Sequence, residues 1–397
     1  MIGLPGWLLV IPILAFLVLV HELGHFLTAK KFGIKVTEFG FGFPPRIWGV
    51  TIGETLYSIN WIPLGGFVKM VGEEDPKDPQ SFARQSIFKR VAVLLAGPFM
   101  NLLIPIIIFT ILLVLPHDKV VGDVIIGGVA PGSPAQEAGL SSGDKIIGVN
   151  GTPVGNHQDL VKLIRNQHGK PTDLSIRKYK GTAGLSFSPE FNHIETITLV
   201  PRSNPPQLVV VEQVVDPTSE VSFSQARAYR TNISIGETMK QGAVGVLIGT
   251  TNPKVVTETT PIWKALPWAF LRIQETISYT ASSVGGWLSG GQDPGFAGPI
   301  GIAQVTGEVA EIGLSPIFEL TALISISLAI VNLLPIPALD GGRLLFVLIE
   351  GMRGGKRVSP KTEGVIHMAG FLSLISLIIL MSYFDILRIL GGNSFLQ

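Results

Sequence analysis

The sequence predicts an α-helical polytopic membrane protein with about four transmembrane helices and a water-soluble region inserted between the second and the third. Three observations lead there. Charged residues are 15% of the 397-residue chain, against roughly 25% in ordinary soluble domains. The apolar share of 46% is average, yet the mean hydropathy is +0.45, so the apolar residues are gathered into blocks. Four such blocks each approach the ~20 residues that cross a bilayer core. The composition also excludes other classes. Thirty basic and 29 acidic side chains leave a net charge of +1, which argues against the basic face of a nucleic-acid-binding protein. With no cysteine, disulfide scaffolds, cysteine nucleophiles and thiolate metal sites are ruled out.

The first block runs from about Leu4 to Val20 and continues directly into His21. It lacks the basic start and small-residue cleavage site of a signal peptide, so it is read as retained. The second, Val91 to Leu115, is interrupted by Gly97-Pro98, Asn101 and Pro105. The third runs from Ile317 to about Leu339 and ends in a proline-broken stretch, and the fourth spans Val365 to Leu380. Lys30, Lys31, Lys35, Arg46, Lys69, Lys77, Arg84, Lys89 and Arg90 separate the first two blocks. Arg343, Arg353, Lys356, Arg357 and Lys361 separate the last two. Short loops rich in Lys and Arg stay in the cytoplasm, which puts both termini and the central region outside.

The central region alternates short β-type runs (124–126, 145–149, 196–200) with turn signals such as Asn150-Gly151, and has one helical stretch over His157–Asn166. The string from Pro131 to Leu140, followed by Gly143–Gly151, closely resembles the bacterial PDZ domain, which binds an extended peptide at a sheet edge. A steric cap on the membrane part is the plainer use of such a domain. Residues 203–260 are weakly informative. From Pro261 to Leu314 the chain is amphipathic, with Trp263, Trp268 and Trp287. Tryptophan favours the membrane–water interface, so helices lying on the outer leaflet are expected, with packing on the PDZ domain as the alternative. The domains are then 1–116, 117–202 (PDZ), 203–315 (extracytoplasmic extension and interfacial helices) and 316–397.

The chemistry begins at His21-Glu22-Leu23-Gly24-His25. Two histidines one helical turn apart can both ligate one Zn²⁺, and the intervening Glu22 is near enough to take a proton from an activated water. By composition the pattern is expected ~0.006 times by chance. Ionisable groups at membrane depth are costly and usually functional; His21 falls about 25 Å along a helix that starts near Leu4. A catalytic zinc takes three protein ligands. Glu38 has a suitable sequence distance but lies in a Gly-, Phe- and Pro-rich stretch that does not read as a helix. Asp340 closes Asn332-Leu-Leu-Pro-Ile-Pro-Ala-Leu-Asp340 at the cytoplasmic end of a span parallel to the first, at the depth of the histidines, and is the stronger candidate. Prolines 335 and 337 unwind that helix, tolerable only where protein or a water-filled cavity receives the freed backbone groups. His117, His157, His168, His193 and His367 lack metal spacing and are assigned no role.

These motifs together resemble the site-2 protease family of intramembrane zinc metalloproteases. The resemblance includes Gly97-Pro-Phe-Met-Asn101, the PDZ domain and Phe296-Ala-Gly-Pro-Ile-Gly-Ile302, and it is nearest to the bacterial branch that cleaves anti-sigma factors and signal-peptide remnants. Some members carry two PDZ domains where one is identifiable here. The resemblance implies His21, His25 and Asp340 as zinc ligands, Glu22 as general base and Asn332 as a substrate-orienting amide. Bonding the broken helix backbone is the plainer role for Asn332. Tyr57–Lys69 looks like the family's membrane-associated β-hairpin on the cytoplasmic side, whose edge pairs with substrate. There Gly65 and Gly66 would permit close backbone approach, or simply make a turn.

The expected function is hydrolysis of peptide bonds within or near transmembrane segments. The expected partners are single-pass membrane proteins already trimmed by another protease, the lipid bilayer, and a peptide C-terminus at the PDZ domain; nucleic acid is not among them. The expected location is the bacterial cytoplasmic membrane, with the PDZ domain outside and the site near the cytoplasmic side. Two other classes compete: a membrane-anchored zinc protease cutting exposed segments, and a catalytically silent scaffold presenting the PDZ domain.

Overall fold

The computed structural model describes residues 5–73, 78–179, 191–216, 219–230, 232–289 and 297–391. Leu4, Lys77, Phe296 and the side chains of His193 and Trp287 lie outside the described residues. The chain forms two compact units, one of residues 1–115 with 259–397 and one of residues 116–258.

In the first unit, a short 3₁₀ turn (Gly6–Leu9) leads into α1 (Val10–Lys31), followed by β1 (Val36–Ile52), β2 (Thr55–Met70) and α2 (Ile87–Val114). The second unit contains β3 (His117–Val129), α3 (Pro134–Glu137), β4 (Lys145–Val149), β5 (Thr152–Pro153) and α4 (His157–Arg165). It continues with β6 (Thr172–Tyr179), β7 (Phe191–Leu199), β8 (Gln207–Val211), β9 (Glu220–Ser222), α5 (Phe223–Tyr229), β10 (Thr238–Lys240) and β11 (Val246–Glu258). The chain then returns to the first unit with α6 (Ile262–Leu288), α7 (Pro299–Ile312), α8 (Leu314–Leu333), α9 (Asp340–Met352) and α10 (Pro360–Leu390).

Among the described residues, four helices are long and apolar enough to cross a membrane: α1 with its 3₁₀ turn, α2, α8 and α10. They make this a polytopic membrane protein. α8 stops at Leu333, short of the Leu339 end read from the sequence, because Pro335 and Pro337 withhold the N–H groups a further turn needs. Lipid is as apolar as leucine, so association of such helices depends on close packing and polar links. Pro105 lies inside α2 and cannot donate to the carbonyl of Asn101 four residues back. That carbonyl instead accepts from Ser325 Oγ of α8 at 2.7 Å. The buried Asp385 of α10 accepts from the N–H groups of Gly298 and Gly301, capping α7 from another helix.

The amphipathic stretch after 260 packs more closely on the helices than its sequence alone shows. Ala265, Ala269, Ile273 and Ile277 fall at four-residue spacing on α6. Ala269, Ile273 and Ile277 pack with Phe109 of α2 and with Ala322 and Ile326 of α8, so neighbouring helices cover this face. The predicted hairpin is likewise more elaborate. Residues 36–43 pair with 62–70 (Val36 with Met70, Phe41 with Gly66) and 46–52 pair with 55–60 (Ile52 with Thr55). Glu38 and Phe41 also border Leu56 and Ile59. Two long strands thus fold back as four side-by-side segments, which α1 supports through the packed Phe26, Phe39 and Tyr57 rings.

In the second unit a six-stranded sheet runs β11-β3-β4-β6-β7, with β5 on β4. It buries Ile126, Ile146, Leu174 and Ile176 against Leu160 and Ile164 of α4. β11 pairs along β3 from Val246–Val129 to Glu258–His117, so the expected boundary at 202 falls inside this unit. Residues 207–240 add a smaller sheet in the order β10-β8-β9.

One ion pair ties α2 to α9. Arg90, buried at the start of α2, donates through both terminal nitrogens to Glu350, at 2.8 and 2.7 Å, and Arg357 donates to the same carboxylate at 3.2 Å. Burial opposes ionisation of Glu350, and the two guanidiniums outweigh it, holding its carboxyl below the ordinary value. This contribution to stability is therefore present above the unfolded glutamate value of about 4.3. It is lost as pH falls through the lower folded value. Glu350→Gln leaves Arg90 buried beside a neutral amide and is expected to destabilise the fold by about 3–5 kcal/mol, read by thermal unfolding in detergent at neutral pH. An unchanged midpoint would show that the pair is idle.

Candidate metal centre

α1 carries His21 and His25 one turn apart on a face turned inward, both buried. His25 Nδ1 donates to the carbonyl of Val93 on α2 at 2.8 Å, which in the neutral ring leaves Nε2 as the bare nitrogen a metal ion requires. α9 begins at Asp340, immediately after the proline-broken turn, and so presents its carboxylate to α1. Asp340 Oδ2 lies 2.9 Å from His21 Nε2 and 3.2 Å from His25 Nε2, and the two Nε2 atoms are 3.1 Å apart. Among the described residues this is the one cluster of three His, Cys, Asp or Glu side chains that could hold a metal ion.

Three features fit zinc. Ligand atoms ~2.0–2.1 Å from a tetrahedral zinc stand about 3.3 Å from one another, close to the three separations observed. Gly97 of α2 faces the cluster, where a Cβ would lie 2.4 Å from His25 Nε2 and 2.7 Å from His21 Nε2. Glycine therefore keeps open the space beside both nitrogens. The third feature is Asn101, whose Nδ2 lies 3.3 Å from His21 Nδ1 while its buried Oδ1 lacks a partner. A half-turn of that amide lets Oδ1 accept from His21 Nδ1–H, satisfying the orphaned oxygen and freeing Nε2 for a metal. That is the usual outer-sphere arrangement of a ligating histidine.

The other predicted residues separate cleanly. Glu38 accepts from Ser58 Oγ at 2.6 Å and pairs with Arg46 at 3.5 Å, so it is occupied within the β1–β2 ribbon and is no part of the cluster. Glu22 lies on α1 between the two histidines, with its side chain beside the last strand segment of β2 near Gly66. Gly65 and Gly66 lie where that segment crosses α1. A Cβ on Gly65, whose φ is +113°, would meet Val18 at 2.8 Å, and one on Gly66 would meet the Gly40 carbonyl oxygen at 2.9 Å and Glu22 Cγ at 3.8 Å. Asn332 is half-buried in the last turn of α8. Among the described residues its amide makes no hydrogen bond to the broken backbone after it.

Sequence reasoning noticed Asn101 and Gly97 without giving either a role. The signal was present, since an amide and a glycine interrupt an otherwise apolar span. Only the fold shows which histidine each one meets.

The family model for peptidase family M50 matches residues 9–377. The chain belongs to peptidase family M50. A protein of Clostridium perfringens, provisionally named a zinc metalloprotease, is 31% identical over 96% of this chain and 98% of its own. The zinc metalloprotease RasP of Geobacillus kaustophilus is 28% identical over 95% of this chain and 96% of its own. RasP of Oceanobacillus iheyensis is 27% identical over 94% and 96%. The chain is accordingly a zinc metalloprotease of the site-2 protease type, carried on membrane-spanning helices.

If the cluster is the zinc site, Asp340→Asn removes the charged donor. It is expected to weaken zinc binding by more than the ~10–100-fold cost of losing a supporting residue, whereas Glu38→Gln should leave the zinc content of purified protein unchanged. Dependence of zinc content on Glu38 would assign the third ligand wrongly.

Proposed function

We propose that the chain hydrolyses peptide bonds within or near transmembrane segments of other membrane proteins. The observation that carries this reading is that the three donor atoms come together on α1 and at the start of α9, just past the end of α8, with α1 and α8 both apolar enough to span a bilayer. A protease built only to cut exposed segments has no need to assemble its metal from such helices.

His21, His25 and Asp340 would hold the ion. Zinc, when bound, supplies a water acidified towards neutrality and polarises the scissile carbonyl. Glu22 would serve as the general base and then as the acid that protonates the leaving amine. Its side chain lies beside Gly66 of the 62–70 strand segment, which pairs with 36–43 along one side. The other side of that segment is where substrate backbone would add as a strand, an extended form that a transmembrane helix must adopt to be cut. Asn332 would orient the carbonyl of that strand. Exposed Phe43, Ile47, Trp48, Ile52 and Trp61 on the ribbon suit contact with lipid.

By the distribution of Lys and Arg, the ribbon and the metal centre face the cytoplasm of a bacterial membrane and the second unit lies outside. That unit would be the PDZ domain. Its terminal strand β11 and the neighbouring α4 border an apolar cavity of about 270 Å³ lined by Leu160, Ile164, Val244, Val246 and Ile248. This is the arrangement in which an added peptide strand seats a side chain. Its task would be to admit single-pass substrates already trimmed outside, such as anti-sigma factors or signal-peptide remnants.

Cleavage of a model transmembrane peptide by purified protein tests the whole reading. Glu22→Gln should lower turnover by about 10²–10⁴-fold with zinc retained. Replacing residues 117–258 by a flexible linker should spare the short peptide and admit substrates with a large outer domain. Near-normal turnover in Glu22→Gln would refute the mechanism, and loss of short-peptide cleavage in the folded, zinc-loaded deletion would refute the filter.

A further inference from the structure

Between α8 and α9 the chain must turn without helix and still deliver Asp340 to within about 3 Å of both histidines. Pro335 and Pro337 cannot donate to the carbonyls four residues before them. The turn is instead closed by short local bonds, from Ile336 N–H to the Leu334 carbonyl at 2.7 Å and from Leu339 N–H to the Ile336 carbonyl at 3.2 Å. At its apex Ala338 has φ +79°, a left-handed conformation that a residue with a Cβ avoids.

Two contacts from α10 hold this apex. The N–H of Ala338 donates to His367 Nδ1 at 2.8 Å. Nδ1 being the acceptor, the ring proton sits on Nε2, which lies 3.9 Å from Glu363 one turn earlier. The ring also packs against Phe346 of α9, with centroids 5.4 Å apart. Three residues along the same face of α10, a Cβ on Gly370 would stand 2.4 Å from Pro337 Cβ and 2.5 Å from its carbonyl oxygen, so the glycine forms a notch that receives the proline.

We propose that His367, which has no metal spacing in the sequence, is a positioning residue: with the Gly370 notch it clamps the Pro337–Ala338 turn and thereby aims the Asp340 carboxylate at His21 and His25. Asp340 follows Ala338 by two residues, so relaxation of Ala338 to a right-handed φ re-aims the carboxylate. The proposal rests on the metal-centre reading above. It goes beyond that reading in giving a side chain on the last helix control over the third ligand.

The test is zinc affinity of the full-length protein in detergent, stripped of metal and titrated against a chromophoric chelator, with the absorption spectrum of the cobalt-loaded protein as a second readout. His367→Ala should bind zinc about 10–100-fold more weakly and shift the cobalt spectrum. His367→Asn, which keeps an acceptor near Nδ1, should restore both. A residue that served only in packing would alter the unfolding midpoint and leave the affinity of the folded protein unchanged. Should His367→Ala not fold, His367→Leu replaces it, filling the space with no acceptor. Wild-type affinity in the acceptor-free variant, or equal weakness in His367→Asn, overturns the proposal. A wild-type chain that takes up no zinc overturns the metal-centre reading and this proposal with it, whereas failure of the variants alone leaves that reading standing.

Discussion

Three atoms with lone pairs, the Nε2 atoms of His21 and His25 and Oδ2 of Asp340, meet within 2.9 to 3.2 Å of one another among apolar helices. The Nδ1–H of His25 is committed to the Val93 carbonyl, so in the neutral ring Nε2 carries a lone pair. Burial makes an uncompensated carboxylate charge at such a convergence expensive. A cation resolves it. Much of the first unit can be understood as the framework that brings these atoms together and keeps them there.

That framework works by local exceptions to helix regularity. Pro105 releases the Asn101 carbonyl to Ser325, joining α2 to α8 at the level of the amide that meets His21. Gly97 removes a side chain where the two imidazoles need space. Prolines 335 and 337 stop α8 early enough for α9 to begin at Asp340. The buried Arg90–Glu350 pair then fixes the far end of α9 to the start of α2. Each departure would weaken an isolated helix, and each is matched by a partner on another element.

What the sequence made legible follows from the range of the signal. His21 and His25 are related by one helical turn, so their shared face could be read from spacing alone, and the proline-rich end of α8 announced a break. Asp340 was reachable because span direction and loop charge set its depth. The β1–β2 ribbon was only half legible. A single run over Tyr57–Lys69 reads as a hairpin, but its doubling depends on Val36–Phe43 pairing with Ile62–Met70. The buried face of α6 was half legible for a related reason: a stripe of Ala265, Ala269 and Ile273 says that a face is covered, not what covers it. His367 was invisible because its partner is a backbone N–H about thirty residues away in a turn whose shape is itself a product of the fold.

X-ray absorption at the zinc edge of the purified wild-type chain shows whether two imidazoles and one carboxylate hold the metal. The expected spectrum has outer-shell scattering from two imidazole rings and a first shell of nitrogen and oxygen at about 2.0–2.1 Å. A spectrum with one imidazole or none would contradict it.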